Sequence, residues 1–205
     1  MRFVLASRSP ARLHTLRAAG LAPEVIVSDV DETGVHEPVA ARLAARLATA
    51  KAEDVFARLT DDDPVIVIGC DSLLELEGKA YGKPESTDDA LRSWYAMRGR
   101  EGQLHTGHHV IVRREGRVER DTRLATTKVR FADLTDAEIA AYVETGEPAN
   151  VAGAFTIDGY GGAFITGVFG DPHNVTGLSL PLVRQMLLDL DIAWHTLWAS
   201  RPPLG

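Results

Sequence analysis

The pattern of apolar and polar positions opens with RFVLA, Arg2 to Ala6, a short apolar run that reads as a strand. Ser-Arg-Ser-Pro follows, and Pro10 to Ala19 then reads as a helix stopped by Gly20. Pro23 to Val27 predicts a second short strand. From Pro38 to Leu59 runs the longest helical pattern, in which Leu43, Leu47, Val55 and Leu59 recur every four residues as the stripe expected to face a core. DDDP breaks the chain before VIVIG, an unbroken apolar run that fits a strand covered on both faces.

Beyond it, ELEGKAYGKP predicts a hairpin-like excursion and Thr87 to Met97 a helix. His108 to Arg113 and Arg117 to Val129 predict antiparallel strands joined at Glu115-Gly116. Thr135 and Glu138 have the spacing of a capping box, opening a helix that ends at Gly146 with Pro148 just past it. The glycine-rich GAFTIDGYGGAFITGVFG predicts loop and short strand, and Ser179 to Leu190 a last helix. Helices and strands mix without strict alternation. The expectation is a single α/β domain over residues 1–205, with a central mixed β-sheet flanked by helices and two lobes around a central cleft.

Composition narrows the function. A chain of 205 residues with 45% hydrophobic and 25% charged positions is long and apolar enough for a real core. Its net charge of −7 argues against a general nucleic-acid binder, which requires a basic field, but leaves room for a small anionic substrate held by a few converging cations. The single cysteine, Cys70, allows neither an intramolecular disulfide nor a cysteine zinc cluster, and is read as a small buried hydrophobe. The amino end has too short an apolar run for a signal peptide, and no stretch approaches the ~20 apolar residues of a membrane helix. The expected setting is the cytoplasm, with no nucleic-acid and no membrane partner.

Three positions then point to chemistry. In LASRSPARL, Ser9 can cap a helix and Pro10 sits well at its first position. The same helix start offers free N–H groups and partial positive charge, with Arg8 and Arg12 close by. A capped helix with solvated arginines and an anion cradle are both open on these residues alone. Lys51 falls inside the apolar stripe, between Leu47 and Val55, where it either snorkels past the core edge or points into a site. Asp71 follows VIVIGC, at what reads as the carboxyl end of the most buried strand, the edge where open α/β sheets bind ligands. Asp29, Asp31 and Glu32 supply hard oxygen ligands suited to a divalent cation carried by a polyphosphate, or form only a solvated loop. Lys83 lacks a P-loop context, and no G-x-G-x-x-G follows a strand. Adjacent His108 and His109 would face opposite sides of a strand, which argues against a zinc site.

Taken in order, LASRSPARL, VDE, TAKAEDV, IGCDS, GKP, MRGR, TDAEIAAYVETGEP, VAGAFTIDG and NVTGLSLPL resemble the Maf family of nucleoside triphosphate pyrophosphatases along nearly the whole chain. The resemblance implies an inosine-triphosphatase-like fold, a homodimer, and hydrolysis of a nucleoside triphosphate to the monophosphate and pyrophosphate with a divalent metal, Mg²⁺, Mn²⁺ or Co²⁺. By the same resemblance Asp71 is the catalytic base, with Glu32, Lys51 and Lys83 as catalytic partners. Ser7, Ser9 and Arg12 bind substrate, and Glu32 and Asp71 hold the metal. The chain departs from the common pattern at Ala11, where an arginine is usual, and at Ser72, Asp158 and the GLSL segment. These departures leave the base preference open and mark Ala11, Ser72 and Asp158 as specificity positions. The competing expectations are a non-catalytic nucleotide-binding regulator linked to division arrest, favoured by the missing arginine at Ala11, and a phosphatase releasing single phosphates.

Overall fold

A computed structural model describes residues 1–199. Its central strand, β3 (Val65–Leu76), grows from the VIVIG run but continues through Cys70-Asp71-Ser72. Polar residues there look like a turn in the sequence. They remain strand because an antiparallel neighbour, β5 (Glu101–Arg114), pairs with β3 from Val65↔Arg113 to Glu75↔Gln103. Asp71 is therefore mid-strand, opposite Gly107, and not at a strand end. β5 likewise starts earlier than its apolar pattern predicts, because His105, Thr106, His108 and His109 are all buried.

The remaining strands are β1 (Arg2–Leu5), β2 (Glu24–Val25), β4 (Lys79–Tyr81), β6 (Arg117–Phe131) and β7 (Ile165–Phe169). They complete a seven-stranded sheet in the order β2-β1-β3-β5-β6-β7, with β4 paired to β3. β1 runs parallel to both β2 and β3, and every other pairing is antiparallel, so the sheet is mixed as expected. The helices are α1 (Pro10–Ala18), α2 (Ala40–Ala57), α3 (Thr87–Met97), α4 (Asp136–Glu144), α5 (Pro172–Val175) and α6 (Leu180–Asp189). Local signals set their starts. Ser9 Oγ accepts from the Arg12 amide with Pro10 next in line, and Thr135 and Glu138 close both halves of the capping box. No helix among the described residues is long and apolar enough to cross a membrane.

α2 meets the sheet differently from the leucine stripe expected. Its fully buried positions are mostly alanines, Ala44, Ala48 and Ala52, while Leu43 and Leu59 are only half-buried. Two glycines lie beneath them. A Cβ on Gly69 would stand 2.3 Å from the Ala48 carbonyl oxygen, and one on Gly107 would stand 2.3 Å from that of Ala44. Both distances are far inside van der Waals contact, so α2 rests backbone on backbone against β3 and β5.

On the other face, Leu5, Leu16, Ile66, Ile68, Val110, Val183 and Met186 join α1 and α6 to the sheet. A second core gathers around Trp94, whose ring meets Phe131 and Tyr142 edge-on at 5.7 and 5.2 Å and whose Nε1 donates to the Ala154 carbonyl at 2.8 Å. α6 is anchored by a buried histidine: the Ser179 amide donates to His108 Nε2 at 2.9 Å, and His108 Nδ1 donates to the Thr106 carbonyl at 3.0 Å. That arrangement requires the neutral ring, and burial, helped by the charge of Arg12, lowers the His108 pKa from 6.5 to about 4.

The sign of the resulting pH effect follows. Between the two values an unfolded chain carries the proton on residue 108 and the folded one does not. Acidification over that window therefore lowers stability, through this residue alone, by about 1.4 kcal/mol per pH unit. Urea denaturation from pH 7 to 4 should give a steeper loss for the wild type than for His108→Gln, whose amide cannot titrate. Equal slopes would remove His108 from the account.

Candidate active site

A gap in the sheet's ladder makes the site. β1 pairs with β3 only from Val65 to Ile68, and β4 only from Leu74 to Leu76. From Gly69 to Leu73 that edge of β3 has no strand partner among the described residues, and a cleft of about 730 Å³ opens against it. Adjacent residues of a strand point to opposite faces. Asp71 therefore leans toward α2 and Ser72 toward α1, yet both reach the cleft because it wraps the open edge. Ser7, Ser9, Ala11, Arg12, Glu32, Lys51, Lys83 and Asp158 line the same cleft, whereas Asp29 and Asp31, read from sequence as further oxygen ligands, do not.

Lys51 is the cation at its centre. Its ammonium stands 2.5 Å from Asp71 Oδ1 and 2.9 Å from Glu32 Oε1, and its side chain is 12% exposed. The snorkelling alternative is thereby excluded: this lysine turns into the cleft. Burial holds the Asp71 carboxyl above the usual carboxylate range, while the charges of Lys51 and Arg12 pull it back and that of Glu32 adds to the rise. Glu32 comes from a loop held by α2. Arg58 donates to the Val27 carbonyl at 2.6 Å and to Asp29 at 3.1 Å, and Asp54 accepts from the Asp29 amide at 3.0 Å. Asp31 turns back to cap its own loop by accepting from Thr33. The acidic cluster thus divides: Asp29 and Asp31 hold the loop and Glu32 enters the site.

At the α1 end, Arg12 is buried. Its Nε donates to the Gly177 carbonyl at 2.7 Å, and its two terminal nitrogens donate to Ser7 Oγ at 3.1 Å and Ser72 Oγ at 3.0 Å. Ser72 Oγ in turn lies 2.9 Å from Thr106 Oγ1. Three of five guanidinium N–H donors are so engaged, which leaves two for a ligand. Lys83 and Arg8 are exposed on the cleft and form no ion pair among the described residues. Burial pushes the Cys70 thiol up to about 12, so it remains protonated and inert, as read from sequence.

Sequence reading undervalued Arg8, which neighbours the helix start and was set behind Arg12. It missed the Gly177 carbonyl and the cleft-facing Asn150, Phe155 and Thr156. The signal for the last three was present in the glycine-rich spacing around them, but nothing local says which loop residues face inward.

The cleft can be divided by chemistry. One end holds the start of α1 with the Ala11 amide, two serines and the cations Arg8 and Arg12, a cradle for phosphate; Lys83 also lines the cleft, next to Gly82, whose carbonyl accepts from the Gly153 amide at 2.9 Å. The centre holds two carboxylates bridged by one ammonium. The other end, from Asn150 to Asp158, offers an aromatic ring, a hydroxyl and an exposed carboxylate.

Comparison with known proteins identifies a family for the chain. The family described as Maf-like protein matches residues 2–190. A protein of Cutibacterium acnes named nucleoside triphosphate pyrophosphatase is 54% identical over 200 residues, covering 96% of this chain and 94% of its own. One of the same name from Streptomyces coelicolor is 55% identical over 198 residues, covering 97% and 95%. Among solved structures, the Ham1 protein of Staphylococcus aureus aligns over 97% of this chain and 94% of its own, at 18% identity and a TM-score of 0.44. With a match from residue 2 to residue 190 and relatives more than half identical along nearly their whole length, the chain belongs to the Maf family.

Proposed function

We propose that the protein is a nucleoside triphosphate pyrophosphatase that cleaves the bond between the α- and β-phosphates, releasing the monophosphate and pyrophosphate. One observation carries the reading: a carboxylate–ammonium–carboxylate group, with Asp71 buried, Lys51 mostly buried and Glu32 exposed, opens into the same cleft as a phosphate cradle. The names of the relatives support it. On this reading residues 1–205 act as one catalytic unit with two lobes about the cleft. The cytoplasmic homodimer and the housekeeping role in the nucleotide pool that the family resemblance implies belong to the same proposal.

Asp71 orients a water at the α-phosphorus and accepts its proton as the new P–O bond forms. A carboxyl held above the usual range by burial is a stronger base than a solvated one. Lys51 keeps Asp71 and Glu32 in register and offers an N–H to the oxygen on which charge develops. Lys83, Arg8 and the two free N–H groups of Arg12 neutralise the phosphate chain and the departing pyrophosphate. No covalent nucleophile is required, since positioning and charge stabilisation suffice for phosphoryl chemistry. Asp158, exposed at the far end, is available to a donor edge of the base.

The resemblance implies a divalent metal. Among the described residues no three His, Cys, Asp or Glu side chains are grouped to hold one. Two hard carboxylates do fit a Mg²⁺-type ion that completes its shell with phosphate oxygens and water. Asp71 and Glu32 would hold it, and it would supply charge neutralisation and a more acidic water.

The decisive assay follows pyrophosphate release from a panel of methylated, pyrimidine and purine nucleoside triphosphates with Mg²⁺, Mn²⁺ or Co²⁺. Asp71→Asn should lower kcat by roughly 10²–10⁴-fold while nucleotide binding persists. A variant as active as the wild type, or orthophosphate as product, would overturn the assignment. Nucleotide binding without any turnover would favour the regulator instead.

The two arginines should separate cleanly. Arg8→Ala should raise KM and leave the unfolding midpoint unchanged, because nothing in the fold leans on it. Arg12→Ala should lose activity and also destabilise by ~2 kcal/mol or more, since three buried acceptors lose a charged donor. Equal stability of both variants in urea would contradict the partition.

A further inference from the structure

Glu147 does not line the cleft and the mechanism does not use it; it falls within the stretch TDAEIAAYVETGEP, which by itself gives it no role. It is nonetheless the most heavily engaged carboxylate described. Its Oε1 accepts from the Tyr142 hydroxyl at 2.8 Å, the Thr156 hydroxyl at 2.6 Å and the Gly161 amide at 2.9 Å, and its Oε2 accepts from the Tyr160 amide at 2.8 Å. Four donors aimed at one side chain suit only an ionised carboxylate, which accepts at both oxygens and donates nothing. Burial works against the charge, but the donors from Thr156, Gly161, Tyr160 and Tyr142 prevail and keep the group below its ordinary pKa. The contact is close enough to shape the sequence around it: a Cβ on Gly159 would lie 2.2 Å from Glu147 Oε2.

These donors bracket the part of the chain that forms the cleft's far end. Thr156 and Asp158 line the cleft, and Tyr160 and Gly161 follow immediately. The segment is irregular, with short 3₁₀ turns at Ala152–Ala154 and Tyr160–Phe164 and no ladder of its own between them. Something other than secondary structure has to fix it. Tyr142 ties the other end of the network to the rigid core, where its ring packs edge-on against Trp94.

We infer that Glu147 is a positioning residue for nucleoside recognition: it clamps residues 156–161 so that Thr156 and Asp158 face the nucleoside end of the substrate, and it has no part in holding the phosphates. The inference rests on the pyrophosphatase reading for the direction in which the substrate lies. It separates the two ends of the cleft, because the phosphate cradle at the α1 end is built by α1 and β3, while every hydrogen-bond donor to Glu147 lies between residues 142 and 161.

The test uses two probes with the same phosphate chain, nucleoside triphosphates and inorganic triphosphate, bound to the full-length protein in EDTA and followed by calorimetry. Glu147→Gln would present an amide NH₂ to donors already pointing at it, so shape alone cannot rescue it. We expect it to weaken nucleoside triphosphate binding by roughly tenfold or more and to leave inorganic triphosphate unchanged. In turnover, KM should rise with little change in kcat. Tyr142→Phe removes one donor without entering the cleft, and should show the same selective effect at smaller size; it carries the test if Glu147→Gln does not fold. Equal weakening of both probes, or no change in either, overturns the inference. A wild type that binds nucleotides but releases no pyrophosphate sinks the pyrophosphatase reading and leaves the contrast between probes to be read on its own.

Discussion

Lys51 reaches Asp71 because nothing separates the backbone of α2 from the sheet. The two glycines beneath the helix and the three alanines above them remove the side-chain layer that normally stands between a helix and a strand. A lysine on the flank of that helix then projects past the open edge of β3 and meets a carboxylate that the strand presents from below. Had the layer been leucine, as the apolar stripe suggests, the ammonium would sit several ångströms higher. Asp71 would then be a buried charge without a partner, which is among the most destabilising arrangements a core can hold. The electrostatic centre of the cleft is thus set by a packing distance, and the packing distance by small residues.

The ladder gap is the complementary constraint. A strand whose edge is paired throughout can show its neighbours to one face or the other, never to a common cavity. By ending β1 at Leu5 and starting β4 at Lys79, the chain leaves five positions of β3 without a strand partner on that side among the described residues. Substrate chemistry can then be recruited from both faces of one strand: Asp71 with Lys51 on one, Ser72 with Arg12 on the other. Ligand binding at an interruption of the sheet is the general habit of open α/β folds, but here it occurs midway along a long strand and not at its tip.

Legibility in the sequence followed the range of the forces involved. Ser9 with Pro10, Thr135 with Glu138, and the span of α3 were readable because capping is decided within four residues. The site residues were readable through motifs whose order matched a family. The extent of β3 and β5 was not, because Asp71, Ser72, His105 and Thr106 look like breakers until their partners from distant segments are known. Nor was the alanine face of α2, since alanine carries little periodic signal and its meaning depends on which glycines lie opposite. Glu147 reads as an ordinary exposed residue before Pro148; only its four donors, drawn from Tyr142, Thr156, Tyr160 and Gly161, reveal it.

The seat of Arg12 has a consequence for the order in which the molecule comes into being. Its guanidinium rests on a carbonyl 165 residues further along the chain. During synthesis the amino-terminal strand and helix emerge early, yet the arginine has nowhere to settle until Gly177 leaves the ribosome and α6 docks behind it. Affinity for phosphate at that end is therefore a property of the finished chain alone. A nascent or carboxyl-truncated form would expose the arginine without the pocket, and nucleotide binding would report completion of the fold as well as readiness for chemistry.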